Sequence, residues 1–552
     1  MSAQPQRTGT GRIVLVALAT QQLLMAYDST AMNVALSAIV ADLHTTLTGV
    51  QSAISVYALV MACLMITGSK LGMRRGHTRV FLAGTAIYGT GAVVTALSPN
   101  LAVMLVGWSL LEGVGASLVF PAIFSIATMA FSGAARTKTL SLIGAMAGVG
   151  AALGPIIGGL ITTFLTWRVS FLMESAVTVT VMLLARRIVE PKHERPKHSF
   201  DVGGVVLSAL GFGLVVMGTL LASRYGLFVA RENFVLFGKT ILAKGAVSPT
   251  VVLVAAGVCV LVAFGWWEVR RVKRGQDPLV RLDVLRHRAT SVGSGAMGLQ
   301  YLGMAGGLFL IPVFLQTTLN YNALESGVTL LPSTVMLIVL AALAARAAGS
   351  ARVSRKLIIA TGFGLMAAGS ALIAVMIQPS SSGWSLLPGL AVLGAGLGAC
   401  SILPDLVQSS AAGNRVSDVA GLSRSASYLG QSLGVALAGA VMLGVLVSSF
   451  TKGVESSQVL TEQQQTQVVQ KIDSGVQAAA LSDAQAAASV AQAGISGPEA
   501  TALVQINGDA RVQGLRVAVI VIGATALLGL GLATALPGRS RARPAAAASQ
   551  QT

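Results

Sequence analysis

Long apolar segments recur along the chain, and the short polar segments between them hold most of the charged residues. A helix of roughly 20 apolar residues crosses the hydrocarbon core of a bilayer. The pattern therefore predicts fourteen membrane-spanning helices, of which the ninth and thirteenth are long, rich in Gly and could contain a kink. The predicted spans are 13–36, 50–70, 79–98, 102–122, 140–163, 169–188, 203–222, 250–269, 291–317, 326–347, 356–377, 384–408, 419–448 and 515–536.

Composition agrees with a chain whose solvent is lipid. Hydrophobic residues make up 54% of the 552 positions and charged residues only 11%, whereas soluble domains carry about 25% charged residues. We therefore expect the lipid bilayer to be the partner of the protein's apolar surface. The net charge of +18 does not indicate nucleic-acid binding, because the basic residues lie between apolar segments rather than on one soluble module.

The sequence contains no pattern typical of a metal site or an enzyme. The three cysteines and five histidines are scattered without ligand spacing, and no Gly-x-x-x-x-Gly-Lys-Ser/Thr phosphate loop occurs. We therefore expect no metal, no bound cofactor and no enzymatic activity, including ATP hydrolysis.

Basic residues concentrate in every second loop, and such an excess of Lys and Arg marks the cytoplasmic side of a membrane protein. This distribution places both chain termini in the cytoplasm. The high content of Arg, Ala, Gly and Val suggests a bacterial chain, which would lie in the cytoplasmic (inner) membrane. The basic residues that follow helices 2, 4, 6 and 8 are Lys70, Arg74, Arg75, Arg79, Arg136, Lys138, Arg186, Arg187, Lys192, Arg195, Lys197, Arg270, Arg271, Lys273, Arg274, Arg281, Arg286 and Arg288.

Two segments on the predicted outer side are longer than a simple turn. Residues 223–249 are expected to form a mixed loop. Residues 450–513 are rich in Gln, Ala, Ser and Val, a content that suits short amphipathic helices over the outer face. This segment is either a flexible spacer or a lid or partner-docking element.

Small residues in the predicted fifth helix follow the pattern Gly150-x-x-x-Gly154-Pro155-x-x-Gly158-Gly159. Glycines four residues apart let two helix backbones touch, and Pro155 favours a kink. Plain helix packing would explain a single Gly-x-x-x-Gly pair. The whole pattern is more specific, and it resembles the antiporter motif of the major facilitator superfamily.

Three further stretches resemble the fourteen-helix drug:proton antiporter branch of that superfamily. They are the first-helix stretch from Asp28 to Leu36, the Trp167-Arg168 pair before helix 6, and the loop 69–79 after helix 2. In that loop the anchors of the resemblance are Leu71, Arg74 and Gly76, and Gly72 and Arg79 are further candidates for the conformational motif. The resemblance continues through Asp201-Val-Gly-Gly before helix 7 and Pro278-Leu before helix 9.

The resemblance implies an all-α major facilitator fold with two six-helix halves and two inserted helices. The first half would be 1–200, the linker helices with their basic loop 201–289, the second half with the outer segment 290–540, and a disordered cytoplasmic tail 541–552. The implied function is export of amphipathic or hydrophobic, often cationic, compounds such as drugs, driven by a proton gradient and carried out by a monomer. Alternatives are a dedicated exporter of a lipid or secondary metabolite and a non-transporting sensor or scaffold.

Four positions depart from the pattern of the branch. Met73 stands where the loop usually carries Asp, and Ser69 where it opens with Gly. In helix 4, Ser109 stands where Arg is usual and Glu112 where Gln is usual. The resemblance therefore leaves open whether this chain keeps the usual latch and the usual proton coupling, and these losses motivate the sensor or scaffold alternative.

Carboxylates inside predicted spans are candidates for proton coupling or substrate binding: Asp28, Glu112, Glu174 and Asp405. A charged group at the centre of a spanning helix costs about 2.5–3.5 kcal/mol on insertion scales, so it usually faces a cavity or a partner. Helix packing or hydrogen bonding is the alternative for Asp28 and Glu112, and solvation at a helix end is the alternative for Glu174.

Polar and aromatic side chains in the spans are candidates for lining a substrate path, although each alone would suit helix packing. Together they fit a wide, weakly polar pocket. Glu325 is expected in a loop, and Asp418 with Arg424 as a surface pair. The cavity-lining candidates are Asn33, Tyr57, Gln300, Tyr301, Gln316, Tyr428 and Gln431.

Overall fold

The computed structural model describes residues 8–131, 133–188, 190, 201–236, 239–349, 353–378, 382–409, 416–473, 483–492 and 495–537. In this part of the chain, thirteen helical segments are long and apolar enough to cross a membrane, and a bent pair of helices makes a fourteenth. The prediction of fourteen spans is confirmed.

The α-helices are numbered in chain order, and several spans consist of more than one of them. They are α1 Thr8–Val34, α2 Leu36–Asp42, α3 Leu47–Arg75, α4 His77–Ala96, α5 Leu101–Met104, α6 Gly113–Ala130, α7 Gly133–Phe164, α8 Trp167–Ala185, α9 Val202–Tyr225, α10 Pro249–Lys273, α11 Arg288–Thr317, α12 Ala323–Thr329, α13 Leu331–Gly349, α14 Arg355–Met376, α15 Leu387–Cys400, α16 Leu403–Ser409, α17 Val416–Glu455, α18 Glu462–Asp473, α19 Asp483–Gln492 and α20 Pro498–Thr534.

Two spans near the chain start are irregular. The first is bent by 68° where α1 gives way to α2. The fourth contains a π-helical segment, Leu105–Glu112, between α5 and α6. Such segments occur often at functional sites because they change the direction in which side chains leave the helix.

The inserted helices α9 and α10 pack against each other along their length, and α9 also packs against α3 and α17. The loop between them contains a short antiparallel hairpin, β1 Phe234–Leu236 with β2 Lys239–Leu242. The predicted mixed loop is thus partly sheet, and the all-α expectation holds for the spans but not for this loop.

The described part of the segment 450–513 is mostly helical, with non-helical residues at 456–461 and 495–497. Both α17 and α20 continue well beyond the predicted spans 419–448 and 515–536, because apolar side chains beyond those bounds form a small separate cluster with the neighbours of α18 and α19. The buried members of this cluster are Phe450, Val454, Leu460, Leu503 and Ala510. Residues 474–482 and 493–494 lie outside the described part, as does the predicted tail 541–552.

The start of the tenth span is fixed by a capping box. Asn322 accepts from the backbone N–H of Glu325, and the Glu325 carboxylate accepts from the backbone N–H of Asn322. These reciprocal bonds satisfy donors that a helix start leaves unpaired. Glu325, expected in a loop, lies in the first turn of α12.

Candidate functional site

Three carboxylates from different spans meet inside the first half of the bundle. Asp28 comes from α1, Glu112 from the π-helical segment and Glu174 from α8. One oxygen of each lies within 4.8 Å of an oxygen of the others. None of the three residues is more than 1% exposed, so the alternative of a solvated Glu174 is wrong.

From the residues that the structure describes, the carboxylates accept hydrogen bonds of neutral groups only. The indole N–H of Trp108 donates to Asp28 Oδ1 over 2.9 Å, Tyr88 Oη donates to Glu174 Oε2 over 3.2 Å, and Thr95 Oγ1 donates to Glu112 Oε1 over 3.3 Å. Asp28 Oδ2 and Glu112 Oε2 have no hydrogen-bond partner. Among the described residues no basic side chain pairs with the cluster.

The π-helical segment supplies two of these side chains, Trp108 and Glu112. On its other side the Trp108 ring stacks on Tyr57 of α3, with centroids 5.0 Å apart and planes 7° apart. This aromatic pair is buried and adjoins the cluster through the hydrogen bond from Trp108 to Asp28. Tyr57 is therefore part of the wall of the cluster rather than of an open cavity.

A small cleft between α1, α7 and α8 reaches the cluster. Asp28, Thr162, Ser170 and Glu174 are among the residues that line it. Its free space holds about one water molecule. The cleft can pass protons or water to the carboxylates, but it has no room for an organic molecule.

The glycines of α7 make close contacts with two other helices, α1 and α12. Gly150, Gly154 and Gly158 face α1, where an added Cβ would collide with the Leu23 and Tyr27 carbonyl oxygens and with Ala31. Close approach of this kind requires glycine.

The next face of α7 meets the second half. A Cβ on Gly159 would lie 2.6 Å from the carbonyl oxygen of Ala323, and the carbonyl of Pro155 fills the space beside Gly327. The pattern thus joins α1 to α7 within one half and α7 to α12 between the halves.

Gln316 makes a second contact between the halves, at the bend of the first span. Its side-chain N–H donates to the Val34 carbonyl over 2.9 Å, and its Oε1 accepts from the Ser37 backbone N–H over 3.1 Å. The bend leaves these backbone groups unpaired within the helix, so Gln316 replaces the lost helical bonds. It is a link between helices rather than a cavity-lining side chain.

Trp167 and Arg168 tie the ends of three helices together at the same end of the bundle. Both donate to Asp42 Oδ2, Trp167 over 2.9 Å and Arg168 over 2.7 Å. Arg168 also donates to the Ala96 and Ser98 carbonyl oxygens. The Trp-Arg pair therefore has a structural role here.

At the opposite end, Glu190 caps α4. Its two carboxylate oxygens each accept a backbone N–H, from His77 and from Thr78, both over 2.9 Å. A negative charge at a helix N-terminus is stabilising because the unpaired N–H groups carry partial positive charge. Gly76 precedes this helix with φ 97°, a conformation that favours glycine.

The comparisons with known proteins agree with this architecture. The family model described as Major Facilitator Superfamily matches residues 18–435. The chain belongs to the major facilitator superfamily.

Named relatives of this superfamily member are exporters. It is 28% identical over 534 residues to the tetracenomycin C resistance and export protein of Streptomyces glaucescens, covering 94% of this chain and 90% of that one. It is 26% identical to the multidrug efflux pump LfrA of Mycolicibacterium smegmatis, covering 78% and 80%. The fold is similar to that of a solved bacterial homologue of the human lysosomal transporter Spinster, with TM-score 0.58, 14% identity, and 96% and 98% covered.

Two departures from the superfamily motifs have neighbours that account for them. No carboxylate stands at Met73, but Glu190 places one at the start of α4 a few residues away. Ser109 donates to the Ala53 carbonyl over 2.8 Å and is fully buried, so an uncharged residue is well accommodated there.

The remaining candidates lie away from the cluster. The Asp405 side chain is 68% exposed and pairs with Arg355 over 3.2 Å, so the structure places it in a surface ion pair. Asn33 is buried and donates to the Ser29 carbonyl. Gln300 is buried as well, and Gln431 is half-buried. The Asp418 side chain lies outside the described part of the chain.

Sequence reasoning missed the side chains that hold the carboxylates, namely Trp108, Tyr88 and Thr95. One signal was available for Trp108, which precedes Glu112 by four residues in a predicted span. Glu190 was also missed, since it follows helix 6 in a charged loop without a motif of its own. Nothing in the sequence indicates its partners in α4.

Proposed function

We propose that this chain is a secondary active exporter of amphipathic or hydrophobic compounds that exchanges them for protons across the bacterial cytoplasmic membrane. Membership of a transporter superfamily and the similarity to export and multidrug efflux proteins support export. Transport, rather than enzymatic chemistry, is the function that the fold favours.

The carboxylate cluster is the observation that supports proton coupling. Three ionised carboxylates within 4.8 Å of one another, buried without a basic partner, would repel strongly in a medium of low dielectric constant. The cluster therefore holds protons or a cation. The adjoining cleft is too small for an organic cation, which favours protons.

Contacts between the halves support a conformational change by alternating access. Gln316 and the Gly159–Ala323 contact join the halves at the end of the bundle that holds Trp167. In alternating access these contacts would have to break when that end opens. Protonation of Asp28 would be transmitted through α1, which carries Asp28, the Gly154 contact and the Val34 bond to Gln316.

The alternative of a non-transporting sensor or scaffold is less well supported. Its motivation is Met73 and Ser109. Glu190 supplies a carboxylate near Met73, and Ser109 is hydrogen-bonded without replacing the charge of the usual arginine. A dedicated exporter of one lipid or secondary metabolite differs from a multidrug exporter only in substrate range.

The test uses proteoliposomes with an imposed pH gradient and measures both dye transport and proton movement. Asp28→Asn and Glu112→Gln are expected to abolish pH-driven transport, while Asp405→Asn, a matched change at an exposed carboxylate, keeps it. Transport that survives both cluster substitutions would refute proton coupling through the cluster. A wild-type protein that transports no compound from a panel of amphipathic dyes would refute multidrug export.

A further inference from the structure

A cation lies at the boundary between the halves, in the part of the bundle that crosses the bilayer. Arg424 belongs to α17, and its guanidinium contacts Tyr301 near the middle of the 30-residue α11. Charged side chains at this depth are costly and usually face a cavity or a functional partner. The pair with Asp418 stays a prediction, because the Asp418 side chain lies outside the described part of the chain.

Aromatic side chains from both halves contact the guanidinium. Its Cζ lies 4.9 Å from the centroid of Phe120 in α6, and Nη1 donates to Tyr301 Oη over 3.4 Å. Tyr428, one turn along α17, meets Phe120 edge-on with centroids 6.3 Å apart. Phe124 adds a fourth ring beside Phe120. Rings of this kind hold a guanidinium through their electron-rich faces.

The direction of Arg424 follows from the other faces of α17. Leu422 packs on the cluster of Ile66 and the linker residues, and Arg424 lies about 200° further round the helix. Gly430 and Gly434 contact α11, and Ser432 donates to the Ser55 carbonyl of α3. The remaining face of α17, which carries Arg424, is directed toward α6 across the boundary between the halves.

This face carries Arg424, Tyr428 and Gln431, at positions i, i+4 and i+7 of the helix. All three are half-buried, so each side chain keeps some exposed surface. No carboxylate among the described residues forms an ion pair with Arg424. Within the described part of the chain, the recorded partners of the guanidinium are therefore neutral aromatic side chains.

The acidic cluster does not neutralise this charge. Asp28, Glu112 and Glu174 lie within the first half behind the stacked Tyr57 and Trp108 rings. The buried cluster in the first half is acidic, and the site between the halves is basic. Protons and substrate thus meet separate groups of opposite charge.

We propose that Arg424, with Tyr301, Tyr428 and Phe120, binds the anionic group of an aromatic organic acid, and that such acids are substrates of this exporter. This assignment rests on the proposed export function. A guanidinium pairs with a carboxylate or sulfonate through two parallel hydrogen bonds, and the neighbouring rings stack on an aromatic skeleton. This preference differs from the expectation of often cationic substrates, since Arg424 repels cations.

The test compares two dyes that share a xanthene ring system, anionic fluorescein and cationic rhodamine 6G. Binding to the purified full-length chain is measured by fluorescence anisotropy, and transport by proteoliposome efflux. Wild type is expected to bind fluorescein more tightly than rhodamine 6G. Arg424→Gln should weaken fluorescein binding by about tenfold or more, the loss of a charge-assisted hydrogen bond, and leave rhodamine 6G binding equal or tighter.

Three further variants keep the outcome decisive. Arg424→Lys keeps the charge without the planar fork and should lie between wild type and Arg424→Gln. Tyr301→Phe removes the hydrogen bond to Arg424 and keeps the ring, so it should weaken fluorescein binding by less than Arg424→Gln does. It also tests the site if Arg424→Gln fails to fold. Arg346→Gln, at an exposed arginine near the end of α13, is the matched control and should change neither dye.

Fluorescein affinity that is the same in wild type and both folded Arg424 variants would overturn the assignment. If fluorescein binds in an Arg424-dependent way but no dye is transported, the site stands and the export function fails. If rhodamine 6G alone is bound and transported, export stands and the assignment to aromatic acids is wrong.

Discussion

Trp108 donates its indole N–H to Asp28 over 2.9 Å while its ring stacks on Tyr57. Trp108 therefore links the π-helical segment to Asp28 of α1 and to Tyr57 of α3. Asp28 keeps its second oxygen without a partner. The carboxyl group is thus oriented by Trp108 and remains free to exchange a proton.

Trp108→Phe keeps an aromatic ring against Tyr57 but removes the donor to Asp28. A hydrogen bond to a charged group is worth about 1.5–3 kcal/mol, so pH-driven export should fall by about tenfold or more. Proteoliposome transport under an imposed pH gradient measures this. Trp266→Phe, at an exposed tryptophan of α10, is the control. Undiminished pH-driven export in Trp108→Phe would show that Asp28 needs no orienting bond.

Gly154→Ala should destabilise the contact between α7 and α1. The new Cβ would lie 2.8 Å from the Tyr27 carbonyl oxygen, and overpacking of this kind costs about 1–3 kcal/mol. We expect a lower thermal unfolding temperature in detergent and loss of export. Gly148→Ala in the same helix has no atom within 4 Å of the new Cβ and should behave as wild type. Equal behaviour of the two variants would mean that close packing of α1 on α7 at Gly154 does not limit stability.

Gln316→Ala should favour the state in which the Trp167 end is open. It removes two hydrogen bonds between the halves, each worth about 0.5–1.5 kcal/mol. Spin labels at His44 and Asn320, exposed positions that follow α2 and α11, should report a larger population of long distances. Labels at His44 and Asn100, both in the first half, should show no change. An unaltered distribution between the halves would argue against Gln316 as a latch.

Glu190→Gln should weaken the start of α4. The amide keeps one acceptor oxygen but loses the charge, which is worth about 0.3–1 kcal/mol at a helix N-terminus. A small fall in unfolding temperature and faster hydrogen exchange at His77 and Thr78 are expected. Glu455→Gln, at an exposed glutamate near the end of α17, should change neither. Unchanged exchange at both amides in Glu190→Gln would mean that the cap contributes nothing.

The sequence determined the spans and the family of this protein, because both depend on local patterns. A run of apolar residues specifies a crossing wherever its neighbours lie, and the glycines at 150, 154 and 158 share a helix face by spacing alone. The same local reasoning selected Asp28, Glu112 and Glu174 as buried charges. It selected Asp405 on equal grounds, although that side chain is 68% exposed.

Only the tertiary structure decided which of these groups meet. The three carboxylates lie on different spans, and their distance depends on helix packing and on the π-helical segment, neither of which leaves a local signature. The same holds for Gln316 at the bend of α1, Glu190 at the start of α4 and Arg424 between aromatic rings of both halves. Burial and partner are properties of several helices together, and a single helix pattern cannot specify them.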